Sequence, residues 1–365
     1  MTQSTTMERK LRIAVTGAGD VGMRHLAILE AAPDLDIAAI VDPAAAAEAF
    51  ARARNIPYYQ SEHARMLDTE KPDGALIATP NSLHLEHGLA CVERRIPFLL
   101  EKPITDAIDS ALQLVAAADE AGVPFIVGHH RRYNPGISLA RDFIAQGAIG
   151  KVTAVSGTWF RRKPDDYFNM AWRRKPGGGP ILINAIHDLD TLRVLCGEID
   201  VVQAMTSNMA RGFEVEDTAA VMLRFANGAL GTFMFSDAVE GPWGWEQCAG
   251  ENASWYPQQP VDCYIIGGTQ GSLSIPSLEH WWNKGGGGRG DPMLRERLQV
   301  VPGDPHIAQW RHFVAVIRGT QQPLVSGMDA TRTLAVTLAM GQSAHTGQAV
   351  PVASLLPNDD QNRHK

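Results

Sequence analysis

Two short motifs place glycines and a lysine where they could do chemistry. Gly17-Ala18-Gly19-Asp20-Val21-Gly22 follows an apolar run near the start of the sequence, and Glu101-Lys102-Pro103 follows another apolar run. A Gly-x-Gly-x-x-Gly spacing between a strand and a helix is typical of a loop that binds a pyrophosphate. The second motif places a lysine at the C-terminal end of a strand, where parallel sheets bind ligands. Together they predict redox chemistry by a dinucleotide, assisted by a lysine.

The glycine motif is predicted to hold the dinucleotide through its backbone. Gly17 allows a tight turn, Gly19 lets the backbone approach the pyrophosphate, and Gly22 lets the helix pack closely on the strand. The helix start adds N–H groups and the positive end of a dipole, so the residues between the glycines join the predicted site. Asp42 lies twenty positions beyond Gly22. Its carboxylate suits the ribose hydroxyls and repels a 2′-phosphate, which predicts NAD rather than NADP.

A second loop, Thr79-Pro80-Asn81 with His84, follows another predicted strand. Loops at the C-terminal ends of parallel strands line the ligand crevice, so these residues are expected to contact the ribose or the nicotinamide. A helix cap at Asn81 or Ser82 and a surface position for His84 are equally open alternatives. The predicted cofactor-binding set is completed by Glu101 and Lys102.

Lys102 and His187 are the predicted catalytic residues. A lysine beside a positively charged nicotinamide has a lowered pKa, so it can hydrogen-bond a substrate hydroxyl and help to remove its proton. His187 lies three positions after Asn184 and three before Asp190, so the three should share a helix face. His187 would then be a general base whose tautomer Asp190 sets. A solvated lysine and a buried structural histidine are the alternatives.

Aromatic and basic residues near a triple glycine predict the substrate side. Trp172 and Arg173 precede the glycines at 177–179, and Arg131 follows the last strand of the first domain. Aromatic faces with polar donors suit a sugar ring, whereas arginines could bind a carboxylate or a phosphate. Residues 243–256 are predicted to form a long functional loop. The predicted substrate-binding set is Lys102, Arg131, Trp172, Arg173, Asn184 and His187.

The elements that must position these residues change character near residue 130. Before it, buried strands at 11–16, 35–41, 74–79, 97–100 and 124–127 alternate with helices at 21–31, 44–54, 83–94 and 106–121, which predicts a parallel sheet. Asp106 and Gly122 are expected to cap the last helix. After it, strands at 152–160, 201–208, 216–225, 229–236, 263–267 and 271–275 predict an open, mostly antiparallel sheet. Helices at 181–196, 307–319 and 329–345 should accompany that sheet, and Asn227-Gly228 should form a hairpin turn.

Composition narrows the class of protein. The 365 residues are 45% hydrophobic and 20% charged, with a net charge of −7, which argues against a nucleic-acid partner. No apolar run is long enough for a membrane span, and the polar start does not resemble a signal peptide. The four cysteines lack a CxxC spacing, which predicts reduced thiols in a cytoplasmic protein without a metal site.

These residues resemble the glucose–fructose oxidoreductase and inositol dehydrogenase family over nearly the whole chain. The resemblance rests on the motifs above together with Arg131-Arg132-Tyr133-Asn134-Pro135 and the triple glycine that leads to His187. It implies a doubly wound Rossmann domain at 1–130 and the NAD(P)-linked oxidation of sugars, inositols or related cyclic alcohols. It also implies an α+β domain at 131–365 that binds substrate and whose open sheet forms the interface of a homodimer or homotetramer. Catalytic roles for Lys102 and His187 are implied as well.

One position departs from the family pattern. Many members carry an aspartate four residues before the histidine, where this chain has Ile183 followed by Asn184. Either Lys102 and His187 suffice, or Asn184 orients the hydroxyl without taking a proton. The leading hypothesis is an NAD-dependent dehydrogenase that moves a hydride from a ring hydroxyl carbon of a sugar, cyclitol or sugar acid to nicotinamide. The alternatives are an NAD-retaining lyase or glycosidase, a dehydrogenase of a non-sugar cyclic diol, and a non-catalytic NAD-binding sensor.

Overall fold

The computed structural model describes residues 9–251, 256–285, 287 and 290–357. The strands are β1 (Leu11–Thr16), β2 (Leu35–Val41), β3 (Tyr58–Tyr59), β4 (Gly74–Ile77), β5 (Phe98–Leu100), β6 (Phe125–Val127), β7 (Val152–Phe160), β8 (Ile199–Ser207), β9 (Thr218–Phe225), β10 (Leu230–Ser236), β11 (Tyr264–Gly268), β12 (Ser272–Ile275), β13 (Glu279–Asn283), β14 (Met293–Arg297) and β15 (Val350–Pro351). The helices are α1 (Asp20–Ala31), α2 (Ala45–Ala53), α3 (His63–Glu70), α4 (His84–Glu93), α5 (Ile108–Ala121), α6 (Pro135–Ala145), α7 (Ile186–Cys196), α8 (Trp245–Cys248), α9 (Pro305–Ile317) and α10 (Gly327–Thr346). Across this described part, none of the helices has the length and apolar character needed to cross a membrane.

The chain forms two compact units, and their boundaries differ from the predicted domains. The first unit comprises residues up to 130 together with 306–331, and the second comprises 131–305 and the residues from 332 onward. The sequence analysis assigned 306–331 to the second domain. Trp310 and Phe313 of α9 explain the correction, because both are buried in the apolar cluster that Ile13 of β1 and Leu26 of α1 also join.

The first unit is built on a parallel sheet. Its six described strands lie in the order β3-β2-β1-β4-β5-β6, and every neighbouring pair is parallel. This is the order of a doubly wound dinucleotide-binding fold, so the predicted fold class is confirmed. The sequence analysis missed β3, which has only two residues, and α3, whose sequence His63–Glu70 is too polar to show an apolar period.

Helix α5 is capped differently from the prediction at its start. It begins at Ile108 after Ala107, and no side chain caps its first N–H groups. The prediction of Asp106 as the N-cap is therefore wrong. The prediction for the other end is confirmed. Gly122 follows the helix with φ +64°, a conformation that costs glycine nothing.

The second unit is built on a larger, mostly antiparallel sheet. Its nine described strands lie in the order β14-β13-β12-β11-β7-β10-β9-β8-β15. Only β7 and β10 run parallel among these pairs, which confirms the predicted architecture. The Asn227-Gly228 turn between β9 and β10 is confirmed as well, since Gly228 has φ +90°.

One face of this sheet is apolar and exposed. Side chains of β9 alternate between buried and exposed positions along the strand. Several exposed positions of the central strands carry large apolar side chains: Met205, Met222, Leu230, Met234 and Ile265 are between 40% and 76% exposed.

Candidate functional site

The glycine loop between β1 and α1 has the geometry of a phosphate cradle. Gly17 has φ +92°, and a Cβ there would lie 2.3 Å from the carbonyl oxygen of Ala78. A Cβ on Gly22 would lie 2.0 Å from the Gly17 carbonyl oxygen, whereas one on Gly19 would meet nothing within 4 Å. No side chain caps the start of α1, where Asp20 and Val21 are exposed. The loop therefore offers open space and N–H groups to a pyrophosphate, and these residues fit a dinucleotide.

Asp42 fixes the shape of this loop from the end of β2. Its Oδ2 accepts a hydrogen bond from the backbone N–H of Ala18 at 2.7 Å, and its Oδ1 accepts one from Ala44 at 2.7 Å. Each oxygen keeps a further lone pair, so the carboxylate can also accept from a ribose hydroxyl.

His84 joins two loops from inside the first unit. It is buried, and its Nδ1 and Nε2 lie 2.8 Å and 2.9 Å from the carbonyl oxygens of Pro103 and Thr79. Both ring nitrogens therefore face the protein. His84 is not a surface residue, and its ring is not placed to contact the ribose. Its hydrogen bond to the Thr79 carbonyl oxygen instead helps to hold the loop at 79–81. Thr79 and Asn81 stay half-buried there, and Asn81 caps neither its own turn nor α4.

Glu101 is a partly buried anion beside Lys102, with its side chain 12% exposed. Its Oε1 accepts from His25 Nε2 at 3.1 Å, and its Oε2 accepts from the Lys102 backbone N–H at 3.2 Å. The Trp310 indole donates to His25 Nδ1 at 2.8 Å, so the His25 proton sits on Nε2. Burial raises the pKa of Glu101, but the His25 hydrogen bond and nearby positive charges outweigh burial and lower it to about 2. Glu101 thus stays ionised, and its bond to the Lys102 backbone holds that residue just after β5. Lys102 itself is half-buried.

In the second unit, the triple glycine lets two chain segments touch. A Cβ on Gly178 would lie 2.4 Å from the Trp172 carbonyl oxygen and 2.7 Å from Arg173 Cα, so only glycine fits this close approach. Trp172 is 49% exposed. The Arg173 guanidinium lies 3.8 Å from the ring centroid of Tyr167 and donates to the Tyr167 carbonyl oxygen at 2.9 Å. Trp172 thus offers an exposed aromatic side chain, and the adjacent Arg173 offers a basic one.

The predicted helix at 181–196 has an irregular first turn. Residues Ile181–Ala185 form a π-helical turn, and α7 begins at Ile186. Such turns are frequent at functional sites. Asn184 and His187 are both half-buried. Asp190 is buried and accepts hydrogen bonds from Arg132 and Thr333. The π turn alters the spacing between Asn184 and His187, whereas His187 and Asp190 both lie within α7.

Arg131 occupies a different environment from the predicted one. It is buried, and its Nη1 donates to Asp188 Oδ1 at 2.7 Å and to the Tyr264 hydroxyl at 3.1 Å, while Nη2 donates to Glu246 Oε1 at 3.2 Å. Burial raises the pKa of Asp188, and Arg131 partly offsets the rise. Arg131 thus connects α7, β11 and α8 from inside the unit rather than facing a substrate.

The sequence analysis missed Lys163 as a site residue. Its Nζ donates to Asn184 Oδ1 at 2.7 Å and lies 3.9 Å from Asp237 Oδ2. Lys163 follows β7 closely and is only 4% exposed, and the sequence carries no signal of that burial. Of the predicted loop at 243–256, residues 245–248 form α8, and residues 252–255 lie outside the described residues.

The fold and the glycine cradle define an NAD-binding oxidoreductase. Residues 11–129 match the model of the oxidoreductase family with an NAD-binding Rossmann fold, and residues 137–274 match that of the GFO/IDH/MocA C-terminal domain. The chain belongs to the GFO/IDH/MocA family, as its resemblance predicted. NAD as cofactor and dehydrogenase as enzyme class are confirmed with it. In the described part of the chain, no group of three or more His, Cys, Asp or Glu residues could hold a metal ion.

Characterised relatives cover most of the chain. It is 27% identical to scyllo-inositol 2-dehydrogenase (NAD(+)) of Bacillus subtilis, over 94% of this chain and 97% of that protein. It is 28% identical to 1,5-anhydro-D-fructose reductase of Ensifer adhaerens, over 77% of this chain and 80% of that protein. The crystal structure of the WlbA dehydrogenase from Bordetella pertussis with NADH and UDP-GlcNAcA superposes with a TM-score of 0.76 at 26% identity, covering 96% and 100% of the two chains.

Proposed function

We propose that this protein oxidises a ring hydroxyl of a sugar, cyclitol or sugar acid with NAD. The observation that carries the proposal is the half-buried pair Asn184 and His187, which follows in sequence the glycines that pack on Trp172 and Arg173. The same chain also has a dinucleotide cradle and Lys102. Relatives named for a cyclitol and an anhydro sugar support this substrate class. Bound NAD would supply the acceptor for a hydride from the carbon that bears the hydroxyl.

The first unit holds the cofactor in this proposal. The backbone N–H groups of the loop at 17–22 bind the pyrophosphate, and Asp42 accepts hydrogen bonds from the ribose. Thr79, Pro80 and Asn81 contact the nicotinamide half, while His84 and Glu101 act indirectly by fixing the loops that carry Thr79 and Lys102. The absence of an arginine near Asp42 leaves a 2′-phosphate without a partner, which favours NAD.

Lys102 and His187 remove the proton of the reacting hydroxyl in this proposal. The His187 imidazole accepts the proton of the reacting hydroxyl, and the Lys102 ammonium hydrogen-bonds the oxygen as negative charge develops on it. Trp172 stacks on an apolar face of the ring, and Arg173 binds a polar substituent. Asn184 positions a neighbouring oxygen. Arg131 acts on the substrate only by holding Asp188, the residue next to His187.

The test is NADH formation, followed by absorbance, with a panel of inositols, aldoses, uronic acids and cyclic diols. Turnover with NAD on a polyhydroxylated ring is expected. Lys102→Ala and His187→Ala should each lower kcat about 100-fold or more at saturating NAD, in variants that still bind NAD. Near-normal turnover of Lys102→Ala would refute its assignment. Activity confined to non-sugar diols would refute the substrate class.

A second candidate is a lyase or glycosidase that retains its NAD. Ile183 and Asn184 favour it, because neither can provide the carboxylate that commonly pairs with the histidine. This candidate predicts substrate cleavage without net NADH and a requirement for a leaving group on the ring. Product analysis by mass spectrometry in the same panel separates it from the dehydrogenase. An NAD-binding sensor would give neither product.

We also propose that the open sheet face joins copies of the chain into a homodimer or homotetramer. The exposed side chains of Met222, Leu230 and Ile265 support it, since a monomer rarely leaves a continuous apolar area in water. Cytoplasmic location stays a prediction. It is supported by the four cysteines, all of which are buried and free of disulfides.

A further inference from the structure

A buried lysine holds the side-chain amide of Asn184 in one orientation. Lys163 Nζ lies 2.7 Å from Asn184 Oδ1. An ammonium group only donates hydrogen bonds, so the amide atom that faces it must be the oxygen rather than the NH2 group. The contact therefore fixes which way the amide is turned, with its oxygen toward Lys163 and its two N–H donors directed elsewhere.

The surroundings of Lys163 keep this contact in place. Its backbone N–H donates to the Asp237 carbonyl oxygen at 2.9 Å, and its own carbonyl oxygen accepts from Arg211 at 3.0 Å. The Asp237 carboxylate is 3.9 Å from Nζ but bonds Arg211 Nε at 3.1 Å, so two cations share it. The Tyr167 hydroxyl lies 3.4 Å from Nζ. The amide oxygen of Asn184 is thus the closest of these acceptors and stabilises a buried charge.

We infer that Lys163 is a positioning residue that makes Asn184 a hydrogen-bond donor to the substrate. Because the amide oxygen already accepts a hydrogen bond from Lys163, the exposed part of Asn184 offers N–H groups. These groups bind an oxygen lone pair of a hydroxyl, carbonyl or carboxylate. Asn184 cannot accept the proton of the reacting hydroxyl, so that role falls to His187. The inference rests on the proposed function, because it takes Asn184 as a substrate-binding residue.

The pairing is tested first in the full-length protein without substrate, by thermal unfolding. Lys163→Met and Asn184→Leu should each lower Tm by about 4 °C, and the double variant should lose clearly less than their sum because both remove the same bond. Asn184→Asp gives Lys163 an anionic partner and should keep Tm within about 2 °C of wild type. Lys151→Met, at an exposed lysine, is the control. Strictly additive losses would overturn the pairing.

Donation to substrate is tested by steady-state kinetics. Asn184→Asp keeps the shape and the contact with Lys163 but can only accept, so KM for the substrate should rise about 10-fold or more, with a smaller change in kcat and none in KM for NAD. Lys163→Met should raise the same KM, but not further in an Asn184→Leu background. An unchanged KM in Asn184→Asp would overturn the donor role. A wild-type protein inactive on the whole panel would refute the proposed function, and the unfolding cycle would then decide the pairing alone.

Discussion

Two roles have been considered for Arg131, a substrate contact and a buried structural ion pair, and the variant Arg131→Met tests which role is correct. Methionine keeps most of the side-chain length but removes the three hydrogen bonds that the guanidinium donates to Asp188, Tyr264 and Glu246. The Asp188 side chain is 1% exposed and would lose its cation. Removing one partner of a buried ion pair costs about 3–5 kcal/mol. For a domain of about 200 residues, this lowers Tm by about 6–20 °C.

The loss should depend on pH in a defined direction. Burial raises the pKa of Asp188 and Arg131 lowers it in part, so the variant's folded state should have a still higher pKa. A carboxyl whose folded pKa exceeds its unfolded value is tolerated when protonated and costs stability as pH rises through the folded pKa. The drop in Tm should therefore be larger at pH 8 than at pH 5.

Differential scanning fluorimetry at both pH values, with substrate kinetics in parallel, is the assay. Arg162→Met is the matched control, because that side chain is 54% exposed and lies 3.8 Å from Asp165, so its Tm should change by less than about 1 °C. If Arg131→Met melts with the wild type at both pH values while KM for the substrate rises, the buried role is refuted and the predicted substrate contact stands.

Three further predictions follow from other contacts. Asp42→Asn replaces one hydrogen-bond acceptor of the loop with a donor and removes the negative charge that faces the ribose. The ratio of kcat/KM for NAD to kcat/KM for NADP should therefore fall about 10- to 100-fold. An unchanged ratio would exclude Asp42 from cofactor selection. Met222→Lys should give monomers in sedimentation where Met209→Lys, an exposed methionine after β8, keeps the wild-type assembly, and a monomeric wild type would contradict the interface. Burial and the nearby His87 lower the pKa of His63 to about 4, so stability should fall as pH drops from about 6.5 to about 4. His63→Gln should weaken this fall in melts at pH 7 and pH 5, and equal pH slopes would count against it.

The sequence determined the local elements and the cofactor loop. Strand β1 and the Gly17 turn were readable because each depends on residues close together in the chain: a run of apolar side chains and a glycine that adopts φ +92°. Gly178 could be recognised for the same reason, since close backbone approach excludes a Cβ wherever it occurs. Asp42 stood out by its spacing from the loop, and the structure shows it bonded there.

Tertiary structure decided which polar residues face inward. Arg131 looked like a substrate contact until folding brought Tyr264 and Glu246 against it from more than a hundred positions away. Lys163 gained meaning only from Asn184, twenty-one positions later. A charged side chain has the same sequence signature whether water or a buried partner solvates it, because the partner comes from a distant segment. Local patterns therefore fix strands, helices and glycine turns, whereas burial and pairing of charges follow from packing alone.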